Sequence, residues 1–566
     1  VRRGNPATDK RPPSEGQRSR HAIRHFHAVG AGSTITVPIT RELHMRLVTG
    51  LLLGLLAVLP AAVRAEFAVE EASLAELAAA QAEGTASSQD LVRAYLERIE
   101  RLDRAGPRLN AVIELNPEAL AIAATLDAER AAGTLRGPLH GIPILLKDNI
   151  DTGDRMQTSA GSLALLGEPA AQDSSVAARL RAAGAVILGK TNLSEWANFR
   201  GRRSSSGWSS RGGQTRNPYA LDRTPCGSSS GSGVAAAASL AGAAIGTETD
   251  GSIICPAAIN GLVGIKPSIG LVSRAGIVPI SGSQDTAGPM ARSVADAALL
   301  LQALVGADPR DRATADVAEH TADYVAALDP QALKGARIGV VRQLAGFHAG
   351  VDQRFDAAVE ALRAAGVEIV EGIELPTRAE AARNEFTVLV HEFKDDLNAY
   401  LATRSGVPAT DLDAVIAFNV ANAERVLPWF GQQLLEQAAA SGGRADVDYQ
   451  KAQADARRLA GPEGIDKAMA EHRLDALIAP SNGPAWPVDW VNGDAFGGGS
   501  SGMAAISGYP NISVPMGLVH GLPVGINFFG ARYSEAKLIG YAYAFEQATR
   551  LRQPPRYAAG LPAGPQ

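Results

Sequence analysis

Two cysteines in 566 residues are too few for a disulfide scaffold or a cysteine-rich metal site. Histidine is scarce too: there are ten, none in a His-Glu-x-x-His pair, so the pattern of a zinc enzyme is missing and no metal or cofactor is expected. Neither sign of charge dominates. A formal net charge of −5 gives no reason to expect a nucleic-acid partner. Past residue 65 no apolar run approaches the roughly 20 residues that a bilayer span takes. Neither a short-period repeat nor a Pro/Ser linker divides the chain, and 46% hydrophobic with 20% charged residues is ordinary for a large globular protein.

Residues 1–44 are Arg-rich and turn-rich without apolar periodicity, and read as an upstream extension outside the native chain. Met45-Arg46, the apolar run Leu51–Leu59 and Val63-Arg64-Ala65 read as a secretory signal at 45–65: a basic start, an apolar core and a small-residue cleavage site. A membrane anchor is the competing reading, but Gly54 and Pro60 break the run short of a span. The expected mature chain therefore starts near Glu66 and is exported, periplasmic or secreted, with no stable membrane anchor.

From there helices and buried strands alternate. Ser73-Leu-Ala-Glu76 has the capping-box pattern. Leu91, Tyr95 and Ile99 form a stripe at helical spacing. Apolar runs at 142–146, 185–188, 337–341, 367–370 and 475–479 predict strands, and 511–514 with 524–529 predict a hairpin-like pair. This alternation implies an α/β protein with a largely covered sheet. Residues 66–555 are read as one large domain, 376–470 as a helical insertion or cap, and 556–566 as a loose tail.

The chemistry concentrates in three stretches. Gly141-Ile-Pro-Ile-Leu-Leu-Lys147 places a lysine at the end of an apolar strand. Desolvated there, its amine would drop from a pKa of about 10.4 and become a base; the bland reading pairs it with Asp148 or Asp151, or leaves it in water. Gly227-Ser-Ser-Ser-Gly-Ser-Gly233 and Gly246-Thr-Glu-Thr-Asp-Gly-Ser252 flank an Ala-rich helix predicted over 234–244, bringing two backbone-permissive serine loops together. The first also matches the Gly-x-Ser-x-Gly elbow around Ser229, but no apolar strand precedes it. A flexible linker is the other bland reading.

Together these stretches resemble the amidase signature family, and within it the exported bacterial peptide amidases. Gly189-Lys-Thr-Asn-Leu-Ser-Glu195, Gly261–Pro267, Ser273-Arg274 and Ser283–Pro289 support the likeness, which covers about 68–550. The resemblance implies a single α/β/α domain with a central mixed, many-stranded sheet. It also implies a Ser–cisSer–Lys triad: Ser252 as nucleophile, Ser228 as bridging serine after a cis peptide, and Lys147 as base. Backbone N–H groups of Thr249, Asp250, Gly251 and Ser252 would form the oxyanion hole. Ser229 would hydrogen-bond within the relay, Arg274 and Asp285 would brace loops, and Ala197 and Asn198 would line the substrate site.

Cys226 and Ser230 replace glycines found in many relatives, and Asp250 precedes Gly251-Ser252; all three are features of the peptide-amidase branch. Asp250 is expected to hydrogen-bond an N–H of the bound amide. Cys226 and Cys255 read as small core thiols rather than the disulfide that export would permit. The glycine-rich 497–502 loop reads as a turn or pocket wall rather than an anion cradle. The expected activity is amide hydrolysis on a peptide or small carboxamide by a monomer. A general aliphatic or aryl amidase, the A subunit of an amidotransferase, and a non-catalytic relative are the alternatives.

Overall fold

A computed structural model describes residues 67–561, so the upstream extension and the leader expected at 45–65 lie outside the described residues. Eleven strands form the main sheet: β1 (Val112–Leu115), β2 (Pro143–Lys147), β3 (Val186–Thr191), β4 (Ala243–Glu248), β5 (Val263–Lys266), β6 (Thr286–Ala291), β7 (Arg337–Val340), β8 (Glu368–Val370), β9 (Ala476–Pro480), β10 (Asn511–Val519) and β11 (Leu522–Phe529). Their spatial order is β1-β3-β2-β4-β6-β5-β10-β11-β9-β7-β8. β2 runs parallel to β3 and β4, and β7 to β8 and β9; the remaining pairs are antiparallel. Every residue of β2, β3, β4, β6, β9 and β11 is buried, so helices and loops cover both faces. The expected mixed α/β sheet is what the chain builds.

Most predicted elements form where apolar spacing put them. Ser73 and Glu76 make a capping box for the helix Leu74–Ala82. The late pair is a true antiparallel hairpin, β10–β11, with Asn511 opposite Phe529. The Ala-rich stretch behaves differently from its propensity. Helix α1 starts earlier, at Ser230, and stops at Ala237, while Ala243 and Ala244 enter β4 beside β2. Small side chains suit a strand squeezed between β2 and β6, so tertiary packing overrides helix preference. β6 escaped the sequence reading because Gly288 and Pro289 interrupt it. Gly288 is required there, since a Cβ would come within 2.0 Å of the Ile265 carbonyl oxygen on β5.

Between β8 and β9 the described chain is helical, starting with the 24-residue helix α3 (Arg378–Leu401). Phe393, Leu397 and Leu401 of α3 pack with Trp196, Phe199 and Leu435 in an apolar cluster of their own. Residues 556–561, expected to be loose, are held down. Leu221 N–H donates to the Ala558 carbonyl at 2.8 Å, and Tyr557 N–H to that of Pro218 at 2.9 Å.

Candidate active site

β2 and β4 are parallel neighbours in register, Leu146 opposite Ile245, so their C-terminal ends arrive together. Lys147 ends β2 and Thr247 lies near the end of β4. The Lys147 amine is fully buried and contacts Ser228 Oγ at 2.7 Å, Thr247 Oγ1 at 2.8 Å and the Thr247 carbonyl at 3.2 Å. It has no carboxylate partner. Asp148 is engaged by Arg211 and Ser159, and Asp151 by the Tyr400 hydroxyl, so the bland pairing does not occur. Burial pushes the amine down to about 7 against the opposing pull of Asp285 and Glu248. In its neutral form it can donate twice to Thr247 and offer its lone pair to the Ser228 hydroxyl.

Ser228 follows a cis peptide from Gly227. Its carbonyl accepts from Ser194 N–H at 3.1 Å, and a Cβ at residue 227 would meet Ser194 Oγ at 2.1 Å, so only glycine fits. Ser229 does not join the hydroxyl relay. Its Oγ donates to the Thr247 carbonyl at 3.0 Å and accepts from Thr247 N–H at 3.2 Å, which fixes the residue gripping Lys147. Cys226 and Cys255 form a disulfide, S–S 2.01 Å and Cα–Cα 6.0 Å, so the core-thiol reading is corrected. Neighbouring folded loops bring the two sulfurs together although 29 residues separate them in sequence. The bond joins the approach to Ser228 with helix α2 (Ile254–Ile259), which follows Ser252.

The Ser252 turn is anchored by Glu248, whose Oε2 accepts from the N–H groups of Ile253 (2.7 Å) and Ile254 (2.9 Å). Gly251 has φ +76°, in the left-handed region that favours glycine. The N–H groups of Thr249, Asp250, Gly251 and Ser252 donate to no described residue. They are unclaimed donors beside a serine. The Ser252 hydroxyl is 8% exposed and bonds to no described residue; the two serine loops meet through Ser229 N–H donating to the Ser252 carbonyl at 3.2 Å. The Lys147–Ser228 contact is thus made, whereas the Ser228–Ser252 contact is not a hydrogen bond here.

Asp285 and Arg274 act on the loops around this turn. Asp285 Oδ1 accepts from Thr249 Oγ1 at 2.5 Å, and Oδ2 from the N–H groups of Ile280 and Ser281. Burial raises the Asp285 carboxyl to about 6, opposed by the Thr249 hydrogen bond. Arg274 pairs with Asp311 and donates to the Gly282 carbonyl. Gln284 links the Thr249 carbonyl to Glu385 of α3.

A cavity of about 370 Å³ opens over Gly227, Asp250 and Gly251, walled by the disulfide, Trp486 and Phe496. Asp250 is reachable from this cavity yet ringed by protein. That enclosure raises its carboxyl, opposed by the Ser501 hydroxyl and Lys266. Ser501 makes the end of the 497–502 loop a pocket wall. Asn198 lines the cavity, whereas Ala197 packs against the α3 cluster. Thr247, Ser194 and Glu248 escaped the sequence reading. Thr247 and Glu248 lie inside the Gly246–Ser252 motif, where only the strand's end point marks them.

A desolvated amine on a serine hydroxyl, with free N–H donors beside a second serine, is the equipment of a serine hydrolase acting on acyl groups. The model of the amidase family matches residues 90–539, and the chain belongs to that family and is an amide hydrolase. It is 42% identical over 504 residues to a probable amidase of Arabidopsis thaliana, covering 87% of this chain and 93% of that protein. The native peptide amidase of Stenotrophomonas maltophilia is 56% identical with a TM-score of 0.82, over 86% of this chain and 99% of that one. The A subunit of the glutamyl-tRNA(Gln) amidotransferase from Pseudomonas syringae is 37% identical, over 85% of this chain and 98% of that protein.

Proposed function

We propose that the protein removes the C-terminal amide of peptides as ammonia, through an acyl-enzyme on Ser252. The observation that carries this reading is the buried Lys147 amine, 2.7 Å from Ser228 Oγ, beside the turn that offers four free N–H groups around Ser252. Neutral Lys147 takes the Ser228 proton while Ser228 takes that of Ser252, a contact that closes as substrate binds. Ser252 Oγ attacks the amide carbon, and the oxyanion settles on the free N–H groups, each such donor worth about 3 kcal/mol. The proton returns through Ser228 to the amide nitrogen, the C–N bond breaks and ammonia leaves. Water, deprotonated along the same path, then releases the acid and restores Ser252.

The peptide substrate is supported by the likeness to the Stenotrophomonas enzyme and by Asp250, an acceptor placed for an N–H of the bound amide. Mass spectrometry of a panel of amidated peptides tests it through amide-to-acid conversion. Turnover of simple aliphatic amides with no peptide converted would replace this reading with a general amidase. Full kcat/KM in Asp250→Asn would remove the role given to Asp250. Export is part of the same proposal. The Cys226–Cys255 bond suits an oxidising compartment, and N-terminal sequencing of the periplasmic or secreted protein should find a start near Glu66.

A further inference from the structure

A second, larger cleft of about 880 Å³ adjoins the one over Ser252. Two stretches of chain separate them. Ser206 and Asn492 face the inner cavity, while Trp208 and Val491 face the outer one. Val491 and Asn492 are consecutive, so the partition there is a single chain thick, with Cα atoms about 3.8 Å apart.

The outer cleft is apolar where it is most exposed. Trp429 and Trp490 stack with ring centroids 4.7 Å apart, at 44% and 40% exposure, and Val491 is 80% exposed. Among the described residues nothing covers them. They are nevertheless held in place. Trp490 Nε1 donates to Gln214 Oε1 at 3.0 Å, and Gln214 Nε2 donates to the Ser206 carbonyl at 2.8 Å, tying the shelf to the inner wall. Behind Trp429, Phe430 meets Trp208 edge-on, and the buried Arg200 guanidinium sits 4.0 Å from the Phe430 ring centroid and 5.1 Å from that of Trp208. Arg216 lines the cleft with no charged partner among the described residues.

We propose that this shelf is the subsite for the upstream part of the peptide, taking an apolar or aromatic side chain beyond the residues seated in the inner cavity. The inference rests on the peptide-amide reading above and extends it. The occupant follows from continuity: the acyl portion of a substrate held at Ser252 has to leave the inner cavity, and the Asn492–Val491 rim leads it onto the tryptophans. Large apolar surface left open at a rim marks a binding site, and tryptophan contributes more to such sites than most residues. The cleft therefore sets a preference among longer peptides without touching the chemistry.

The test compares kcat/KM for an amidated dipeptide with that for amidated pentapeptides carrying Phe or Ala upstream. An upstream Phe should raise kcat/KM about tenfold over the dipeptide, mainly through KM. Trp490→Ala, Trp429→Ala and the exposed-site change Val491→Asp should each erase that gain and leave the dipeptide within about twofold. Trp490→Phe should keep most of it. Equal rates for short and long peptides in the native enzyme overturn the shelf, as does a loss in the variants that is the same for both lengths. A dimer that the tryptophan variants dissociate, with length dependence intact, overturns it too. Failure to turn over even the dipeptide amide sinks the peptide-amide reading instead.

Discussion

Lys147 carries the chemistry because its surroundings strip it of water and offer no counter-charge within bonding reach. Protonation silences it as a base. Its depressed pKa means the neutral form dominates above about 7, so kcat/KM should fall about tenfold per pH unit below 7 and stay level above it. A pH–rate profile whose alkaline limb keeps climbing towards 10 would show instead an amine of ordinary basicity. The second residue to watch is Thr249. Thr249→Val removes the hydroxyl that donates to Asp285 and leaves a buried carboxylate oxygen short of a partner. The turn carrying the free N–H groups should then drift, with kcat lowered about tenfold and KM little changed. Unchanged kcat would separate Asp285 from the turn. At this scale the sequence was most informative about Lys147, because an apolar strand ending in lysine is visible in one dimension. The cysteine pairing was not legible, since it depends on where two Cβ atoms point after the loops fold.

Among the elements, α3 links the helical span to the catalytic turn. Its Glu392 is buried and accepts from Ser281 Oγ, Ser283 N–H, Ser283 Oγ and the Tyr449 hydroxyl, all within 2.9 Å. Burial pushes this carboxyl up, but those donors win and hold it below the usual range. The residues it grips lead directly to Asp285. Glu392→Gln turns one acceptor oxygen into a donor, so about 2 kcal/mol of stability should go, and amides of 281–285 should exchange faster. Protection unchanged in hydrogen exchange would mean that α3 does not restrain the loop. The hairpin β10–β11 and the buried β2 were readable from apolar spacing. β6 was not, because the glycine and proline that mark turns elsewhere serve close strand packing here. The Ala-rich run failed at its boundaries for a related reason: alanine favours helices intrinsically and tight strands by size.

Across the molecule, the two serine loops depend on one sheet and one covalent tie. β2 and β4 bring the base and its anchor together, and the cysteine bond closes a loop of 29 residues' separation around both serines. By chain entropy such a closure is worth about 3–4 kcal/mol. The Cys226→Ala/Cys255→Ala protein should melt a few degrees lower, and reductant should lower the native protein's Tm but not the variant's. Identical melting of both with and without reductant would leave the bond without a stabilising role. The fold class was readable because alternation of helix and covered strand extends over hundreds of residues; the order of strands was not, since it depends on which edges meet.

The carboxyl group of Asp250, facing the cavity where the reaction ends, also bears on what happens afterwards. Deamidation turns an uncharged terminus into an anion, and two anions roughly 5 Å apart at an effective dielectric near 20 repel by about 3 kcal/mol. The newly made acid is therefore pushed out as it forms, and ordinary peptides with free carboxyl ends are turned away at the entrance. Such peptides should inhibit only at concentrations far above the KM of their amides, and more strongly as acid neutralises either partner.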